Sequence, residues 1–317
     1  MRADRRWAAW PTVAALTVAV LAVSSSAPLI AFAAAPALAI AFWRNGLAAV
    51  ALTPITLGPR RAELVEVLRG DRRRDGLFCV LAGLTLAAHF AFWMPSVQLG
   101  SVATATAMVA TQPVWQGLIA AGQGRRPSAA GWVGIGFAVA GVAWATGIDI
   151  GISGQAVLAD VLALLGGMAA AVYTSLGERA RTHLSTTTYT WICYGVCALV
   201  LVGVCLVARV PLHGFDARTW AAILALVVGA QLLGHSMFNY ALHRVPATTV
   251  SVLILLEVPG AALLAWAWLG QTPRLAALPG LVLLVIGVAV VVLGGGTGTG
   301  PPESSASLAD AADPSPR

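Results

Sequence analysis

The segment GLTLAAHFAF at residues 83–92 returns 146 positions later as GAQLLGHSMF at residues 229–238. The same shift lays residues 83–143 onto residues 229–289 without a gap. Helix-breaking residues and a histidine recur along with the common apolar types, which indicates an internal repeat rather than shared composition. The informative identical pairs are Gly83/Gly229, His89/His235, Phe92/Phe238, Pro113/Pro259, Gly124/Gly270, Pro127/Pro273, Gly134/Gly280 and Gly141/Gly287. The chain therefore contains two copies of one unit.

The composition predicts a membrane protein. Of the 317 residues, 58% are hydrophobic and only 10% are charged, with a mean hydropathy of +0.82. A soluble domain carries about 25% charged residues, so too few remain here to cover a surface in water. Apolar segments recur at about the 20 residues that a membrane-spanning helix needs. Ten spans are predicted, numbered in chain order: 11–27, 36–57, 77–96, 101–121, 130–148, 156–177, 188–208, 219–241, 247–269 and 275–293.

The arginines indicate the orientation of these spans. All 19 basic residues are arginines, and fifteen of them fall in alternate connections, beginning with the N-terminus. The other connections hold Arg209, Arg218 and Arg274, and Arg44 alone lies inside a span. Because basic residues accumulate in cytoplasmic loops, both termini are expected on the cytoplasmic side of the cytoplasmic membrane. The net charge of +6 is thus a topology signal, and no nucleic-acid partner is predicted.

Five spans in each copy make the repeat inverted. An odd number of crossings brings the second copy into the membrane from the opposite side, as in many secondary transporters. The predicted fold is an all-α integral membrane protein with ten transmembrane helices arranged as two inverted five-helix repeats. Its parts are a cytoplasmic N-terminus (1–10), a first repeat (11–148), a linker (149–155), a second repeat (156–293) and a disordered cytoplasmic tail (294–317).

Two segments allow a second interpretation. Met1–Arg6 is basic and residues 31–33 resemble a cleavage site, so a secretory signal is an alternative to a first transmembrane helix. The helix is favoured because cleavage would remove the opening helix of one repeat. Residues 58–75 form the longest charged connection, which is either an amphipathic helix on the inner leaflet or a solvated loop.

The run GHSMFNYALHRVPATTVSVLILLEVPGAALLAWAWLGQTP at residues 234–273 carries a family resemblance. With its weaker first-half partner, it resembles the EamA-type branch of the drug/metabolite transporter superfamily, over essentially residues 10–293. Gln271 stands where the family pattern has an acidic residue. The resemblance implies a ten-span carrier of small metabolites, often an exporter of amino acids or drugs. The matching positions are Glu257, Pro259, Leu269, Gly270, Pro273, Gly280 and Gly287.

Ionisable residues inside spans are expensive and usually face a cavity or a partner. Glu257 lies near the middle of span 9, where a low dielectric favours the neutral acid and permits proton exchange. Alternatively, Glu257 is a structural residue, neutral or paired with Arg44. Arg44 is predicted to bind a cargo carboxylate, to pair with Glu257 or to cap a carbonyl. His89 and His235, related by the repeat, either line the cavity or form interhelical hydrogen bonds.

Other side chains complete the predicted substrate or proton site. Trp43 and Trp93 lie deep enough to stack on an aromatic or cationic cargo, with helix packing as the alternative. Asn239 and Gln112 add polar groups to this site. Prolines at equivalent positions of spans 4 and 9 are predicted to kink those helices and act in gating. These prolines are Pro113 and Pro259.

No metal or cofactor is predicted. The four cysteines fall within spans, and no histidine or carboxylate joins Cys193 and Cys197 on their shared helix face. They are interpreted as small core residues, without a disulfide framework. The expected partners are a small-molecule substrate and membrane lipid. Spans 5 and 10, which are rich in small residues, are expected to pack and offer a surface for a homodimer.

The resulting prediction is a secondary transporter that exports a small metabolite, amino acid or drug by alternating access, with proton coupling at Glu257 as the hypothesis. A lipid flippase is the alternative. An intramembrane serine protease is disfavoured although Gly-x-Ser-Gly and His-x-x-x-Asn strings occur at residues 151–154 and 235–239. Ser153 lies in a predicted outside loop, and the two strings stand in the reverse chain order. No enzyme activity is predicted.

Overall fold

The computed structural model describes residues 10–99, 105, 108–146, 154–269 and 278–293, and every regular element within these ranges is helical. The elements of the first copy are α1 (Trp10–Val23), α2 (Ser26–Phe32), α3 (Ala37–Leu57), α4 (Arg61–Arg69), α5 (Arg73–Leu99), α6 (Gln112–Gly122) and α7 (Ala129–Thr146). Those of the second are α8 (Gly154–Ala180), α9 (Thr186–Val207), α10 (Ala217–Leu226), a π-helix (Val227–His235), α11 (Ser236–Ala241), α12 (Ala247–Ile254), α13 (Glu257–Leu269) and α14 (Leu278–Leu293).

The helices confirm a protein that crosses the membrane several times. Within the described ranges, seven helical stretches are long and apolar enough to span a bilayer, and they correspond to spans 1, 2, 3, 6, 7, 8 and 9. Two shorter apolar helices, at Ala129–Trp144 and Leu278–Leu293, correspond to spans 5 and 10. Span 4 is described only in part, so the number ten stays a prediction. The N-terminal segment 1–9, most of the linker 149–155 and the tail 294–317 lie outside the described residues.

Spans 1, 4 and 9 are interrupted where the sequence predicts continuous helices. In span 1 the interruption falls at Ser24 and Ser25, whose hydroxyls donate to the carbonyls of Val20 and Ala22 at 2.7 Å. Such bonds compete with the backbone ladder of a helix. In span 4 a turn at residues 110–111 precedes α6, and in span 9 a turn at residues 255–256 precedes α13. The break thus recurs at nearly equivalent positions of the two copies.

The sequence predicts that the prolines of spans 4 and 9 bend continuous helices. In the structure they do not. Pro113 and Pro259 each lie in the first turn of the helix that follows the break. Proline is tolerated there because the first amide groups of a helix have no partner within it. The structure therefore replaces two expected kinks by two helix ends, and a helix end exposes polar backbone groups near mid-span.

The two copies pack with twofold symmetry. Span 3 packs on span 6, and its counterpart, span 8, packs on span 1. Span 4 likewise packs on span 6, as span 9 does on span 1. Spans 2 and 7, 4 and 9, and 5 and 10 each pack on their own counterpart. The largest buried apolar cluster joins spans 2, 3 and 7 to parts of spans 6 and 8.

Spans 5 and 10 show that the copies run in opposite directions. A Cβ on Gly141 would lie 2.6 Å from the carbonyl oxygen of Gly280, and one on Gly134 would lie 2.9 Å from that of Gly287. The earlier glycine of one helix thus meets the later glycine of the other, which requires antiparallel helices. Because the 146-residue shift converts Gly134 into Gly280 and Gly141 into Gly287, the two contacts are symmetry mates. No side chain fits between these backbones.

The charged connection between spans 2 and 3 forms a helix, the first of its two predicted alternatives. In α4, Leu64 and Val67 are buried against the spans. Glu63 accepts hydrogen bonds from the amide and hydroxyl of Ser185, at 2.7 and 2.6 Å, and from the hydroxyl of Thr188 at 2.7 Å. Ser185 is the N-cap of α9, so the carboxylate holds the start of span 7.

Replacement of Glu63 by Gln is expected to lower the free energy of unfolding at neutral pH. Partial burial raises the pKa of Glu63, but the hydrogen bonds from Ser185 and Thr188 outweigh it and hold the pKa below its ordinary value. The ionised form is therefore stabilised by folding, and this contribution disappears as the pH falls through the depressed pKa. We expect a loss of about 1 kcal/mol, because the carboxylate is still partly in water.

The measurement is thermal unfolding in detergent as a function of pH. Wild type and Glu63→Gln should differ at pH 7 and converge in acid. Glu66→Gln is the matched control, since Glu66 lies on the same helix and pairs at the surface with Arg72. A difference between wild type and Glu63→Gln that persists unchanged at low pH would contradict this role of the carboxylate.

Candidate functional site

A cavity of about 60 Å³ lies between the two copies, enough for a few water molecules. Spans 1, 3 and 4 line one side, and their counterparts, spans 6, 8 and 9, line the other. The lining is mostly apolar, with a limited number of polar side chains. These are Ser26, His89, Trp93 and Gln112 from the first copy, and Tyr173, Thr174, His235, Asn239 and Glu257 from the second.

Glu257 is the carboxylate of this cavity. It is the first residue of α13 and is partly exposed to the cavity. The amino end of a helix favours negative charge, so the break in span 9 places a carboxyl group where its ionised form is tolerated. The 146-residue shift pairs Glu257 with Thr111, which means that the first copy lacks this acid. The cavity is therefore symmetric in shape but not in chemistry.

His89 and His235 occupy different environments despite their equivalent positions. The Nδ1 atom of His89 lies 2.9 Å from the carbonyl oxygen of Gly166 in span 6. A carbonyl only accepts, so Nδ1 carries the hydrogen. The imidazole ring also stacks on Trp93, with centroids 5.7 Å apart. His235 contacts the rings of Phe90 and Tyr173. Both histidines line the cavity, and His89 forms the interhelical bond as well.

Arg44 lies behind the cavity wall and is fully buried. Its Nε donates to Oε1 of Gln231 at 2.8 Å, and Nη1 donates to the Ser26 hydroxyl at 3.3 Å. The guanidinium also lies over the ring of Phe90, 4.4 Å from its centroid. The ion pair with Glu257, one of the three predicted alternatives for Arg44, is not formed among the described contacts. Neutral groups hold this cation instead, and Nη2 has no hydrogen-bond partner among the described residues.

The structure separates the two predicted tryptophans. Trp93 is buried and lines the cavity, and within the part of the chain that the structure describes its indole nitrogen has no hydrogen-bond partner. Trp43 does not line the cavity. Its indole donates to the carbonyl of Leu212 at 2.8 Å, and its ring contacts Trp220 edge-on. The position of each residue along its span did not predict which helix face it occupies.

Two amide–hydroxyl pairs cross the cavity wall. Asn239 bonds the phenolic hydroxyl of Tyr173, with distances of 2.9 Å from Oδ1 and 2.7 Å from Nδ2. Gln112 donates to the hydroxyl of Thr174 at 3.2 Å. The first pair joins span 6 to span 8, and the second joins span 6 to the start of α6 in span 4. Tyr173 and Thr174 were missed by sequence reasoning, because a tyrosine or threonine in an apolar helix usually indicates packing.

Gln231 was also missed, although its amide in the middle of span 8 gave a usable signal. It is fully buried and joins Arg44 to Asn45, to which it donates at 3.0 Å. Polar side chains in a span seldom face lipid, so an uncharged amide merits the same attention as an ionisable group.

A second polar cluster lies next to one end of the cavity lining. Arg125 binds Glu178 through both terminal nitrogens, at 3.0 and 2.7 Å. Glu178 also accepts from the amide of Ala247 at 3.2 Å, and it lies one helical turn beyond the cavity residue Thr174. Hydrogen bonding to this carboxylate raises the pKa of Arg125. The cluster thus ties the loop after span 4, the end of span 6 and the start of span 9 together.

Replacement of each tryptophan by Phe should separate their roles. Trp43→Phe removes the bond to Leu212 and is expected to cost about 1 kcal/mol of stability without changing the KM for cargo. Trp93→Phe changes a cavity wall and is expected to alter that KM by about tenfold, which corresponds to about 1.4 kcal/mol. Steady-state uptake into liposomes gives the KM, and thermal unfolding gives the stability. A larger KM change for Trp43→Phe than for Trp93→Phe would contradict the assignment.

Comparisons with known proteins agree with this architecture. A family model described as the EamA-like transporter family matches residues 7–147 and again residues 157–293, once for each copy. A solved crystal structure is similar with a TM-score of 0.69 and 20% sequence identity, covering 88% of this chain and 96% of that chain. At that identity the likeness concerns the fold alone. Among curated proteins none matches. Since the family model covers nearly the whole chain in two repeats, this protein belongs to the EamA-like transporter family and is a multi-pass membrane transporter of the drug/metabolite type.

Proposed function

We propose that the chain is a ten-span secondary transporter that exports a small polar or amphipathic metabolite by alternating access. The cavity between the copies carries this proposal, because three spans and their three counterparts line it. Two related halves of opposite orientation give two states of similar energy, one open to each side. Spans 5 and 10 lie outside the cavity lining and pack through glycines on each other.

The Arg125–Glu178 cluster is the proposed inner gate. The arginine distribution assigns the connections after spans 4, 6 and 8 to the cytoplasm, together with both chain termini. The cluster joins the first two of these connections to the start of span 9. In this proposal the cluster closes the cavity towards the cytoplasm, and admission of cargo from inside requires these bonds to separate. Bidentate arginine–carboxylate pairs are specific in geometry and can re-form on closure.

Glu257 is the proposed proton site. A carboxyl group in a cavity with a mostly apolar lining favours its neutral form unless a cation or donor compensates. Arg44, a fully buried cation, is bonded to Gln231 and Ser26 rather than to Glu257. Glu257 is therefore available to exchange a proton or to meet a donor group of the cargo, which couples the two events.

A homodimer would use the outer faces of spans 5 and 10. The glycine faces of these helices are filled within the chain. Exposed apolar side chains remain on their other sides, among them Phe137 on span 5 and Val285 on span 10. This placement is compatible with lipid contact or with a second copy in the membrane.

Transport into liposomes tests the proposal. Purified protein is reconstituted and offered a panel of amino acids and cationic drugs, with and without a pH gradient. The account predicts saturable flux of at least one small cargo and no transfer of fluorescent lipids between leaflets. Lipid transfer without cargo flux would favour a flippase and contradict the carrier assignment.

A further inference from the structure

Span 8 contains a π-helix that its counterpart lacks. Residues Val227–His235 are π-helical, whereas the equivalent residues 81–89 lie within the regular helix α5. A π-helix holds one more residue in a turn than an α-helix does and is common at functional sites. The two copies align here without a gap, so no inserted residue forces the wider turn. The same length of chain therefore accommodates either helix.

Side chains of the second copy hold the π-helix in place. The backbone amide and the hydroxyl of Ser236 both donate to the carbonyl oxygen of Gln231, the hydroxyl at 3.2 Å. The hydroxyl of Tyr194 in span 7 lies 3.1 Å from that of Ser236. At the same residue, the Gln231 amide joins Arg44 to Asn45 in span 2. Gln231 is thus fixed through both its backbone and its side chain.

The first copy has none of these supports. Thr85 stands in place of Gln231, and its hydroxyl donates to carbonyls of its own helix, those of Leu81 and Ala82. Phe90 stands in place of Ser236 and has no hydroxyl to donate. The regular helix of span 3 and the widened helix of span 8 are therefore consistent with these substitutions.

The packing around span 8 leaves room for a change of helix type. A Cβ on Gly229 would meet nothing closer than 3.5 Å, and one on Gly234 nothing closer than 3.4 Å. At Gly83, the counterpart of Gly229, a Cβ would lie 2.7 Å from the carbonyl oxygen of Cys193. The regular helix of the first copy is thus clamped by its neighbour, and the π-helix of the second is not.

We propose that Gln231 is a positioning residue that keeps span 8 π-helical through its bonds to Arg44, Asn45 and Ser236, which together form a latch. Release of this latch during transport turns the cavity-lining part of span 8 away from the cavity. Each residue that a helix takes up or releases turns the following part by about 100° and shifts it by about 1.5 Å. His235 is the last residue of the π-helix, and Phe238 and Asn239 follow it. All three line the cavity. After the release of one residue, Met237 takes the place of Phe238.

Cysteine labelling of the full chain in liposomes tests this inference without any cargo. Phe238→Cys and Met237→Cys are made separately, and each is labelled with a water-soluble maleimide; the four native cysteines are buried. In the wild-type background, position 238 should react faster. In the Gln231→Leu and Gly234→Ala backgrounds the ratio of the two rates should reverse, a change of about tenfold or more. The reason is that labelling follows the exposure of the thiolate to the water of the cavity.

The choice of backgrounds separates a latch from a loss of stability. Gly234→Ala favours the regular helix without a clash. Gly203→Ala is its control, since a Cβ there meets nothing within 4 Å and span 7 contains no π-helix. Gln231→Glu keeps the acceptor for Arg44 and should retain the wild-type ratio. Poor folding would change both rates together and leave their ratio unaltered. If Gln231→Leu is unstable, the ratios in Gln231→Glu and Gly234→Ala still test the inference.

Equal labelling ratios in the wild-type, Gln231→Leu and Gly234→Ala backgrounds would overturn the inference. A reversal in Gly203→Ala would overturn it as well. Because no transport is measured, either result would leave the proposed carrier function standing. Conversely, a failure of cargo flux would not change the expected labelling.

Discussion

Glu257→Gln is expected to make cargo accumulation independent of a pH gradient. Glutamine resembles the protonated acid in size and polarity but cannot release a proton. For one coupled proton, a gradient of one pH unit supports about a tenfold cargo gradient, equivalent to about 1.4 kcal/mol. The variant should support none, while exchange of labelled for unlabelled cargo across the membrane continues, because exchange needs no net proton movement.

The measurement is uptake and counterflow in liposomes at matched protein content. Glu66→Gln is the control, because Glu66 is an exposed carboxylate outside the cavity. It should behave as wild type in both assays. Gradient-driven accumulation that survives in Glu257→Gln would show that the proton site lies elsewhere. A loss of counterflow together with accumulation would assign Glu257 to cargo binding rather than to coupling.

Gly141→Ala is expected to have the largest effect on stability. The added Cβ would meet the backbone nitrogen of Leu284 and would lie 2.6 Å from the carbonyl oxygen of Gly280. Both partners are backbone atoms, so no side chain can move aside. Overpacking of this kind costs about 1–3 kcal/mol and sometimes more. The interface of spans 5 and 10 must then separate. A fall in Tm of roughly 2–5 °C follows from the usual relation between free energy and Tm for a chain of this length.

Gly136→Ala is the matched control for this prediction. Gly136 lies on the same helix, but a Cβ there meets nothing within 4 Å. Alanine should be neutral or stabilise the helix there by up to about 1 kcal/mol. The twofold relation adds a third variant, Gly287→Ala, since its Cβ would lie 2.6 Å from the carbonyl oxygen of Gly134. Thermal unfolding in detergent should group Gly141→Ala with Gly287→Ala, and a Tm for Gly141→Ala equal to that of Gly136→Ala would contradict the interlocked glycines.

The repeat in the sequence predicted much of the architecture. The pairs of identical glycines at 134/280 and 141/287 predicted close packing of spans 5 and 10, and the structure brings these residues together. The shared His89/His235 position allowed two interpretations, lining of the cavity or interhelical hydrogen bonding; both residues line the cavity, and His89 also bonds the carbonyl of Gly166. Such predictions succeed because a contact between equivalent spans occurs twice, so both copies need a suitable residue at the same position.

The features that distinguish the two copies could not be predicted in this way. The π-helix of span 8 changes the hydrogen-bond pattern without changing the length, so no gap in the alignment reveals it. The breaks in spans 4 and 9 precede their prolines rather than coincide with them. Trp43 was assigned to the cavity because the position within a span gives depth, whereas the helix face depends on packing with the loop at Leu212.

Labelling of equivalent loops from the two sides of the membrane tests the central claim most directly. Arg126 and Thr272 are related by the repeat, each two residues after the shared glycine at 124 or 270. In intact cells an impermeant maleimide should label Thr272→Cys, and it should label Arg126→Cys only after the membrane is permeabilised. Opposite faces are the result that inverted repeats predict. Labelling of both positions from the same face would contradict the inverted repeat and the shared cavity that depends on it.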